Sequence, residues 1–205
     1  MSTPDPFLSL PRYLAEVGVR ATPKQLAQFR IHYDLLLRWN AKTNLTSVRD
    51  PAEILRRHFA ESAYLTKVLA LGPGTLVDVG SGAGFPGIPV KILSPSTRVV
   101  LVEAVQKKAA FLKEVAREIA LPGLEVRASR FEDLSPFEAD WLTMRAVRLD
   151  AELMAVIRRH VPRGTVAAFL VEEDARRFGS PEVHQIPGSD HRVIAIGQCS
   201  TWNIS

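Results

Sequence analysis

The sequence predicts an α/β fold: a seven-stranded, mostly parallel sheet with helices on both faces, preceded by a helical N-terminal part. Three observations lead to this prediction. From residue 75 onward, short apolar runs alternate with longer amphipathic runs, which is typical of strands and helices that build a parallel sheet. The first apolar run leads into a turn with four glycines at residues 80–87. Residues 1–72, in contrast, look helical, with two helix-start signals each followed by apolar residues at helical spacing.

Two helix starts are readable in the first 72 residues. Thr22 can cap a helix that has proline at its first position and Gln25 three residues later, which is the capping-box pattern. The same kind of start recurs at Asp50, and glycine and proline at residues 72–74 end the second helix. Apolar residues follow the first start at helical spacing: Leu26, Phe29, Tyr33, Leu36 and Trp39. We therefore predict a helical N-terminal cap over residues 1–72, packed on a core of residues 73–205.

The core contains seven predicted strands and four predicted helices. The strands are expected at Thr75–Val79, Arg98–Glu103, Leu124–Ala128, Trp141–Arg145, Thr165–Val171 and His191–Ile196, with a shorter one around Val183–Ile186. The helices are expected at Gly87–Leu93, Val105–Ala120, Leu149–His160 and Glu172–Phe178. Because the final two strands have no long helix between them, the last strand is expected to be antiparallel.

Composition excludes several protein classes. The 205 residues are 46% hydrophobic and 23% charged, which is ordinary for a soluble domain. The N-terminus lacks the pattern of a secretory signal, and no apolar run approaches the roughly 18 residues of a membrane span. A single cysteine, Cys199, excludes an internal disulfide and a multi-cysteine metal site. These features predict a cytoplasmic protein with no membrane partner and no metal.

The positive charge is concentrated in the N-terminal part. Residues 1–72 carry ten Lys or Arg against six Asp or Glu, and the remainder carries 16 of each, so the net charge of +4 lies in the first third. A basic segment beside a ligand-binding core favours a polyanionic substrate such as nucleic acid. A solvated helical face would give the same small excess.

The glycine turn matches two cofactor patterns. Residues 82–87 read GAGFPG, the G-x-G-x-x-G fingerprint of dinucleotide sites, where a helix N-terminus receives a pyrophosphate. Residues 78–84 read DVGSGAG, the acidic loop pattern of S-adenosylmethionine-dependent methyltransferases. A carboxylate at Asp78 repels a pyrophosphate but attracts a sulfonium cation, so it favours S-adenosyl-L-methionine. A nicotinamide-dependent oxidoreductase and a ligand-free turn remain as alternatives.

A second carboxylate ends the next predicted strand. Glu103 follows the glycine turn by roughly 20 residues, the spacing at which an acidic residue binds the ribose hydroxyls of a nucleotide. Both cofactor classes share this spacing. Glu103 therefore supports an adenosine ligand without choosing between the two, and a solvated acid at a strand end is the alternative.

With these residues in place, the chain resembles the 16S ribosomal RNA guanine-N7 methyltransferase G family, also called glucose-inhibited division protein B. The motifs that carry the resemblance are WN and NLT at residues 39–46, RH and ES at 57–62, DVGSGAGFPGIP at 78–89, SRFE at 129–132 and RA at 145–146. The resemblance implies a class I methyltransferase fold of Rossmann-like type, S-adenosyl-L-methionine as cofactor, and 16S rRNA or the small ribosomal subunit as partner of a monomeric enzyme.

The resemblance also assigns roles within the cofactor site. Gly80 would contact the cofactor through its backbone and Phe85 through its ring, while Glu103 would hold the ribose. Packing in the core is the alternative for Phe85. No metal ligand is implied, and no catalytic base is needed, because N7 of guanine attacks with a lone pair that carries no proton.

Three further residues are assigned after the third and fourth strands. Phe131 and Glu132 would flank the adenine, and Arg145 would lie near the methionine end of the cofactor and the target base. An isolated aromatic residue such as Phe131 more often packs in the core, and a surface ion pair is the alternative for Arg145.

The sequence departs from the family pattern at three places on the expected RNA side. Met144 replaces a serine, residues 170–173 read LVEE where a lysine-glycine pair is usual, and Asp190 replaces an arginine. These changes leave the cofactor prediction intact and weaken the assignment of one RNA target. The alternatives are a methyltransferase of the same fold with a different RNA or small-molecule target, and a ribosome-assembly protein that binds RNA without catalysis.

Basic residues of the cap are the candidates for phosphate contacts. They are Lys42, Arg49, Arg56 and Arg57. Arg57, His58, Glu61 and Ser62 share one helical face by their spacing, and this face is expected to border the entrance to the cofactor site.

Overall fold

A computed structural model describes residues 5–136, 138–177 and 182–202 and confirms the predicted α/β fold. Seven strands of the described chain form one sheet in the order β3-β2-β1-β4-β5-β7-β6. Their bounds are β1 Gly74–Val79, β2 Thr97–Val102, β3 Leu124–Arg127, β4 Trp141–Arg145, β5 Thr165–Val171, β6 Glu182–Gln185 and β7 Arg192–Gln198. The strands β1 to β5 are parallel, and β7 is antiparallel to both neighbours, as predicted for the last strand.

The strand ends agree with the sequence prediction to within two residues. The one shift that matters is in β2, which ends at Val102 and leaves Glu103 just beyond the strand. Since β1, β2 and β4 are adjacent and parallel, their carboxyl ends meet at one edge of the sheet. That edge carries Glu103, Arg145 and the glycine turn that follows Val79. It is the edge at which open α/β sheets bind their ligands.

The N-terminal part is helical. It contains a 3-10 helix Pro6–Ser9, α1 Leu10–Glu16, α2 Pro23–Thr43, α3 Pro51–Glu53, a π-helical segment Ile54–Ala60 and α4 Glu61–Val68. The predicted capping box is present: Thr22 Oγ1 accepts the backbone N–H of Gln25 at 3.3 Å, and Gln25 Oε1 accepts that of Thr22 at 2.8 Å. Asp50 caps α3 by accepting from the Glu53 N–H at 2.8 Å.

Two features of this part differ from the sequence prediction. The helix α1 was not expected, because no side chain caps its start at Ser9. The helix that follows Asp50 ends at Val68, before the glycines that were expected to stop it, because Leu69 is already extended.

The core helices are α5 Gly87–Leu93, α6 Gln106–Ile119, α7 Ala151–His160 and α8 Glu172–Arg177, followed by a 3-10 helix Cys199–Thr201. Phe178, which the sequence places at the end of α8, lies outside the described residues. No helix of the described chain has both the length and the apolar character needed to cross a bilayer.

Buried apolar residues form two clusters, one on each face of the sheet. Alternate residues of a strand point to opposite faces, so Leu76 of β1 joins one cluster and Val77 the other. The first cluster is shared by the sheet, α5, α6 and the N-terminal helices; the second packs the sheet against α7. The N-terminal helices are therefore fixed to the sheet by a common core that includes Phe29 and Phe59.

Candidate functional site

Three glycines give the turn after β1 its shape. Gly80, Gly82 and Gly84 have φ values of 69°, 56° and 86°, in the left-handed region that favours glycine. At Gly80 a Cβ would also lie 2.7 Å from Cγ2 of Val147, so a side chain would collide there. The segment 80–84, called the glycine loop below, therefore presents bare backbone at the carboxyl edge of the sheet.

Glu103 holds the glycine loop against the end of β2. Its side chain is only 6% exposed. Oε2 accepts the backbone N–H of Gly82 at 2.8 Å, and Oε1 accepts that of Val105 at 2.8 Å. Because a carboxylate has about four lone-pair positions, each oxygen can accept one further hydrogen bond. Glu103 thus fixes the loop and still presents two acceptor oxygens.

A cleft of about 660 Å³ opens beside the glycine loop, at the carboxyl ends of β1 to β4. Four of the six predicted site residues line it: Gly80, Glu103, Phe131 and Glu132. Phe131 is 3% exposed, with its ring centroid 4.5 Å from that of His160, whereas Glu132 is exposed. The sequence therefore identified residues that the fold brings to one cleft from three different strand ends.

The lining of this cleft is predominantly acidic. Its carboxylates are Glu103, Glu132, Asp133, Asp150 and Glu152, and its cations are Arg130 and Arg148. Such a lining attracts a cationic ligand and disfavours a pyrophosphate. Asp133, Asp150, Glu152 and Val147 were missed by the sequence analysis, although the rule that ligands bind at carboxyl strand ends would have indicated the segments after β3 and β4.

Phe85 packs against the N-terminal helices rather than lining the cleft. Its ring stacks with two histidine rings, with centroids 4.8 Å from His32 of α2 and 5.0 Å from His58 of the π-helical segment. The interplanar angles are 25° and 22°. Phe85 is 6% exposed, so the packing alternative describes its place in this structure, and a direct cofactor contact stays a prediction.

Arg145 is likewise turned toward the N-terminal helices. Its Nη2 donates to the backbone carbonyl of Arg57 at 2.6 Å and pairs with Glu61 Oε2 at 3.1 Å. Glu61 also pairs with Nη2 of Arg192 at 2.5 Å, so one carboxylate, 3% exposed, joins the ends of β4 and β7 to α4. Burial lowers the pKa of Arg145. A contact between Arg145 and the cofactor remains a prediction.

The polar face predicted on the second helix is the surface that makes these contacts. Ser62 is fully buried, with its Oγ 3.5 Å from Nη1 of Arg145. His58 Nε2 lies 2.8 Å from Thr46 Oγ1. Burial lowers the pKa of His58 to about 3, helped by the nearby positive charge of Arg145, so the ring is neutral. This face therefore joins the cap to the strand ends instead of facing open solvent.

Asp78 lies beneath the glycine loop. It is fully buried, and its Oδ2 accepts the backbone N–H of Gly87 at the start of α5 at 3.0 Å. A Cβ on Gly87 would lie 2.7 Å from that oxygen, which explains the glycine. Within the described part of the chain Oδ1 has no hydrogen-bond partner. Burial raises the pKa of Asp78 to about 7, although the bond from Gly87 opposes the shift.

We expect Asp78→Asn to increase the free energy of unfolding above neutral pH. The carboxyl has a pKa of about 7 in the folded protein and the ordinary value of 3.8 in the unfolded chain. Between these two pH values the folded state keeps its proton and the unfolded state does not, so stability falls as the pH rises from one to the other. The neutral amide removes this loss and can still accept from Gly87. The gain, roughly 1 to 3 kcal/mol, should grow from about pH 4 to about pH 7 in urea unfolding and stay level above that.

Asp140→Asn is the matched control for that measurement. Asp140 is exposed and accepts the backbone N–H of Thr75, at the opposite end of β1, at 2.7 Å. The Asp140→Asn variant also removes one carboxylate, but an exposed one rather than a buried one. If both variants show the same pH dependence as the original protein, burial of the Asp78 carboxylate is not costly.

The basic candidates of the cap lie at its surface, but two are engaged. Lys42 and Arg49 are exposed, and Arg49 donates to Asn44 Oδ1 at 2.8 Å. Arg56 pairs with Glu53 at 2.8 Å and lies over the ring of Tyr13. Arg57 is half-buried, and within the described residues its Nε has no partner.

The departures from the family pattern fall at different depths. Met144 is 1% exposed in the cluster that faces α7. Val171, Glu172 and Glu173 line a second cleft of about 590 Å³ at the end of β5, together with Arg176 and His191. Asp190 is exposed. The second cleft is therefore acidic where the family usually has a lysine.

The described residues contain no group of three or more His, Cys, Asp and Glu side chains arranged to hold a metal ion.

Comparison with known proteins identifies relatives of one kind. A family model described as rRNA small subunit methyltransferase G matches residues 25–175. The ribosomal RNA small subunit methyltransferase G of Chloroflexus aggregans is 37% identical over 71% of this chain and 62% of its own length. The protein of the same name from Lactococcus lactis subsp. cremoris is 30% identical over 95% of this chain and 90% of its own length. The chain spans less than two thirds of the first curated relatives, 62% and 51% for two of them.

Solved structures with the same fold are more distant in sequence. A SAM-dependent methyltransferase from Aquifex aeolicus gives a TM-score of 0.59 at 15% identity, covering 77% of this chain and 97% of the other. An RNA methyltransferase from Salinibacter ruber, solved with S-adenosyl-L-homocysteine, gives 0.58 at 15% identity, covering 67% and 89%. At this identity the likeness establishes the class I methyltransferase fold and nothing further.

Proposed function

The chain belongs to the rRNA small subunit methyltransferase G family, and on that basis we propose that it transfers a methyl group from S-adenosyl-L-methionine to N7 of a guanine in 16S ribosomal RNA. The observation that carries the proposal is the acid-lined cleft beside the glycine loop. It combines bare backbone, an acceptor carboxylate at Glu103 and an excess of negative charge. A ligand with an adenosine and a sulfonium cation matches all three.

The residues of the cleft fit this cofactor in chemical type. Glu103 keeps one free acceptor position on each oxygen for the two ribose hydroxyls. Phe131 offers an apolar wall and Glu132 an acceptor to the adenine. Gly80 has no side chain, which would collide with Val147, and so presents its backbone to the cleft. A dinucleotide fits less well, because its pyrophosphate would face several carboxylates.

The chemistry asks little of the protein beyond orientation. The bound cofactor supplies a methyl group activated by its sulfonium sulfur. Guanine N7 is a neutral lone pair, so no side chain has to remove a proton, and we assign no catalytic base. The protein contributes by holding the two reactants in line, an effect that can supply several kcal/mol. The acidic lining also stabilises the positive charge that passes to the purine.

The RNA is proposed to approach across the basic N-terminal helices. Lys42, Arg49, Arg56 and Arg57 are the proposed phosphate contacts, and an unstacked or flipped guanine is the proposed target, because N7 must reach the cleft. We propose a monomer that works in the cytoplasm on the small ribosomal subunit or its 16S RNA. The acidic second cleft at Glu172 and Glu173 favours one alternative, a methyltransferase of the same fold with a different RNA target.

Two experiments test the proposal. Titration calorimetry should detect binding of S-adenosyl-L-homocysteine and no binding of NAD. In cells that lack the protein, mapping of 16S rRNA should show the loss of one 7-methylguanosine, restored by the original chain. Cofactor binding with an unchanged methylation map would support the alternative target. A failure to bind S-adenosyl-L-homocysteine would contradict the proposed cofactor and with it the reaction.

A further inference from the structure

His32 connects the N-terminal helices to the glycine loop. It lies on α2, is fully buried, and its Nε2 is 2.8 Å from the backbone oxygen of Ala83. A carbonyl oxygen only accepts hydrogen bonds, so Nε2 carries the proton and donates it. Nδ1 then has a lone pair and, among the described residues, no partner. Burial lowers the pKa of His32 to about 4, which agrees with this neutral form.

Ala83 is placed where an outside contact sets the loop conformation. It lies between Gly82 and Gly84, both with positive φ, so the chain on either side has the freedom of glycine. Within the loop, the N–H of Gly84 donates to Ser81 O at 2.7 Å. From the core, Val102 O accepts the N–H groups of Gly80 and Ser81 at 2.9 and 3.1 Å, and Glu103 accepts that of Gly82. From the cap, His32 donates to the carbonyl of Ala83. The loop is thus held by core residues in its first half and by a cap residue at Ala83.

The ring of His32 also packs next to the loop, on the ring of Phe85. The rings of His32 and His58 both stack with the ring of Phe85, which directly follows the loop. The two histidines come from different cap segments, α2 and the π-helical segment. Both helical segments therefore contact the residue that follows the loop, and α2 also contacts the loop itself through His32.

We infer that His32 is a positioning residue for the cofactor loop, and that its hydrogen bond to Ala83 couples the seating of the N-terminal helices to cofactor affinity. This inference rests on the proposed function, because it takes the cleft beside Gly80 and Glu103 to be the cofactor site. Linkage requires the coupling to work in both directions: a bound cofactor stabilises the seated cap as much as the seated cap strengthens cofactor binding. His32 itself is not among the residues that line the cleft.

The test is calorimetric titration of three variants with S-adenosyl-L-homocysteine. His32→Phe keeps a ring to stack on Phe85 but removes the donor, and we expect about a tenfold loss of affinity, the effect of one buried hydrogen bond. His32→Gln places an amide N–H near the position of Nε2 and should recover most of that loss. Tyr33→Phe is the matched control: Tyr33 is the next residue of α2, 2% exposed, and its hydroxyl has no partner among the described residues.

The possible outcomes separate the inference from the function. If the original protein does not bind S-adenosyl-L-homocysteine, the proposed function fails. If it binds and His32→Phe binds equally well, or His32→Gln is as weak as His32→Phe, the donor role is wrong. An equal loss in Tyr33→Phe would reduce the effect to general disturbance of α2.

A measurement on the unaltered protein covers the case in which His32→Phe does not fold. Ring-nitrogen NMR near neutral pH should identify His32 as the tautomer protonated at Nε2, with a resonance that moves when S-adenosyl-L-homocysteine saturates the cleft. A ring protonated at Nδ1, or a resonance that the ligand leaves unchanged, would overturn the inference.

Discussion

Glu103→Ala is expected to weaken binding of S-adenosyl-L-homocysteine by about 100-fold or more. The substitution removes the acceptor of two backbone N–H groups, those of Gly82 and Val105, together with the proposed acceptor of the ribose hydroxyls. Since Glu103 is almost fully buried, water replaces these bonds poorly. The glycine loop then loses its bond to the Glu103 carboxylate, although the N–H groups of Gly80 and Ser81 still donate to Val102 O in β2. The ligand loses its proposed anchor at the same time.

Two further substitutions calibrate this expectation in the same calorimetric titration. Glu132→Ala removes an exposed carboxylate from the rim of the cleft and should cost only a few-fold in affinity, because solvent already competes for it. Glu118→Ala, which breaks a surface pair with Arg117 far along α6, should leave affinity unchanged. If Glu103→Ala binds as tightly as Glu118→Ala, the ligand does not lie in this cleft.

The fold was predictable from the sequence because its determinants are local. Runs of apolar residues identified the strands, and the capping box at Thr22 and the N-cap at Asp50 fixed two helix starts to the residue. The glycines of the loop were recognisable since positive φ values demand them. Carboxyl strand ends then brought Gly80, Glu103, Phe131 and Glu132 to one cleft by topology alone.

The directions of Phe85 and Arg145 could not be predicted in the same way. Their partners come from the N-terminal helices, 53 residues before Phe85 in the case of His32 and 84 residues before Arg145 in the case of Glu61. Which side chain meets them depends on how the cap docks and on the π-helical segment, where Glu61 N donates to Arg56 O and shifts the helical register. No periodicity or spacing in the sequence contains that information.

Glu61→Leu is expected to reduce the free energy of unfolding by about 3 kcal/mol or more, the largest stability loss we expect of any single substitution considered. Glu61 is 3% exposed and is the shared counter-charge of Arg145 and Arg192. Its removal leaves two like charges close together, and the side chain of Arg145 is only 15% exposed. The measurement is urea unfolding, with Glu53→Leu as control. Glu53, at the end of α3, pairs with Arg56 at the surface, and its loss should cost less than about 1 kcal/mol.

The double variant Glu61→Leu with Arg145→Met decides what Arg145 does. If Arg145 serves to seat the cap through Glu61, removing both charges together should recover part of the stability lost in Glu61→Leu, since the buried charge without a partner is gone. Affinity for S-adenosyl-L-homocysteine should then recover with stability. If Arg145 contacts the cofactor, as the sequence predicted, stability should recover while affinity stays low. A double variant as unstable as Glu61→Leu would mean that Arg192, at the start of β7, accounts for most of the cost.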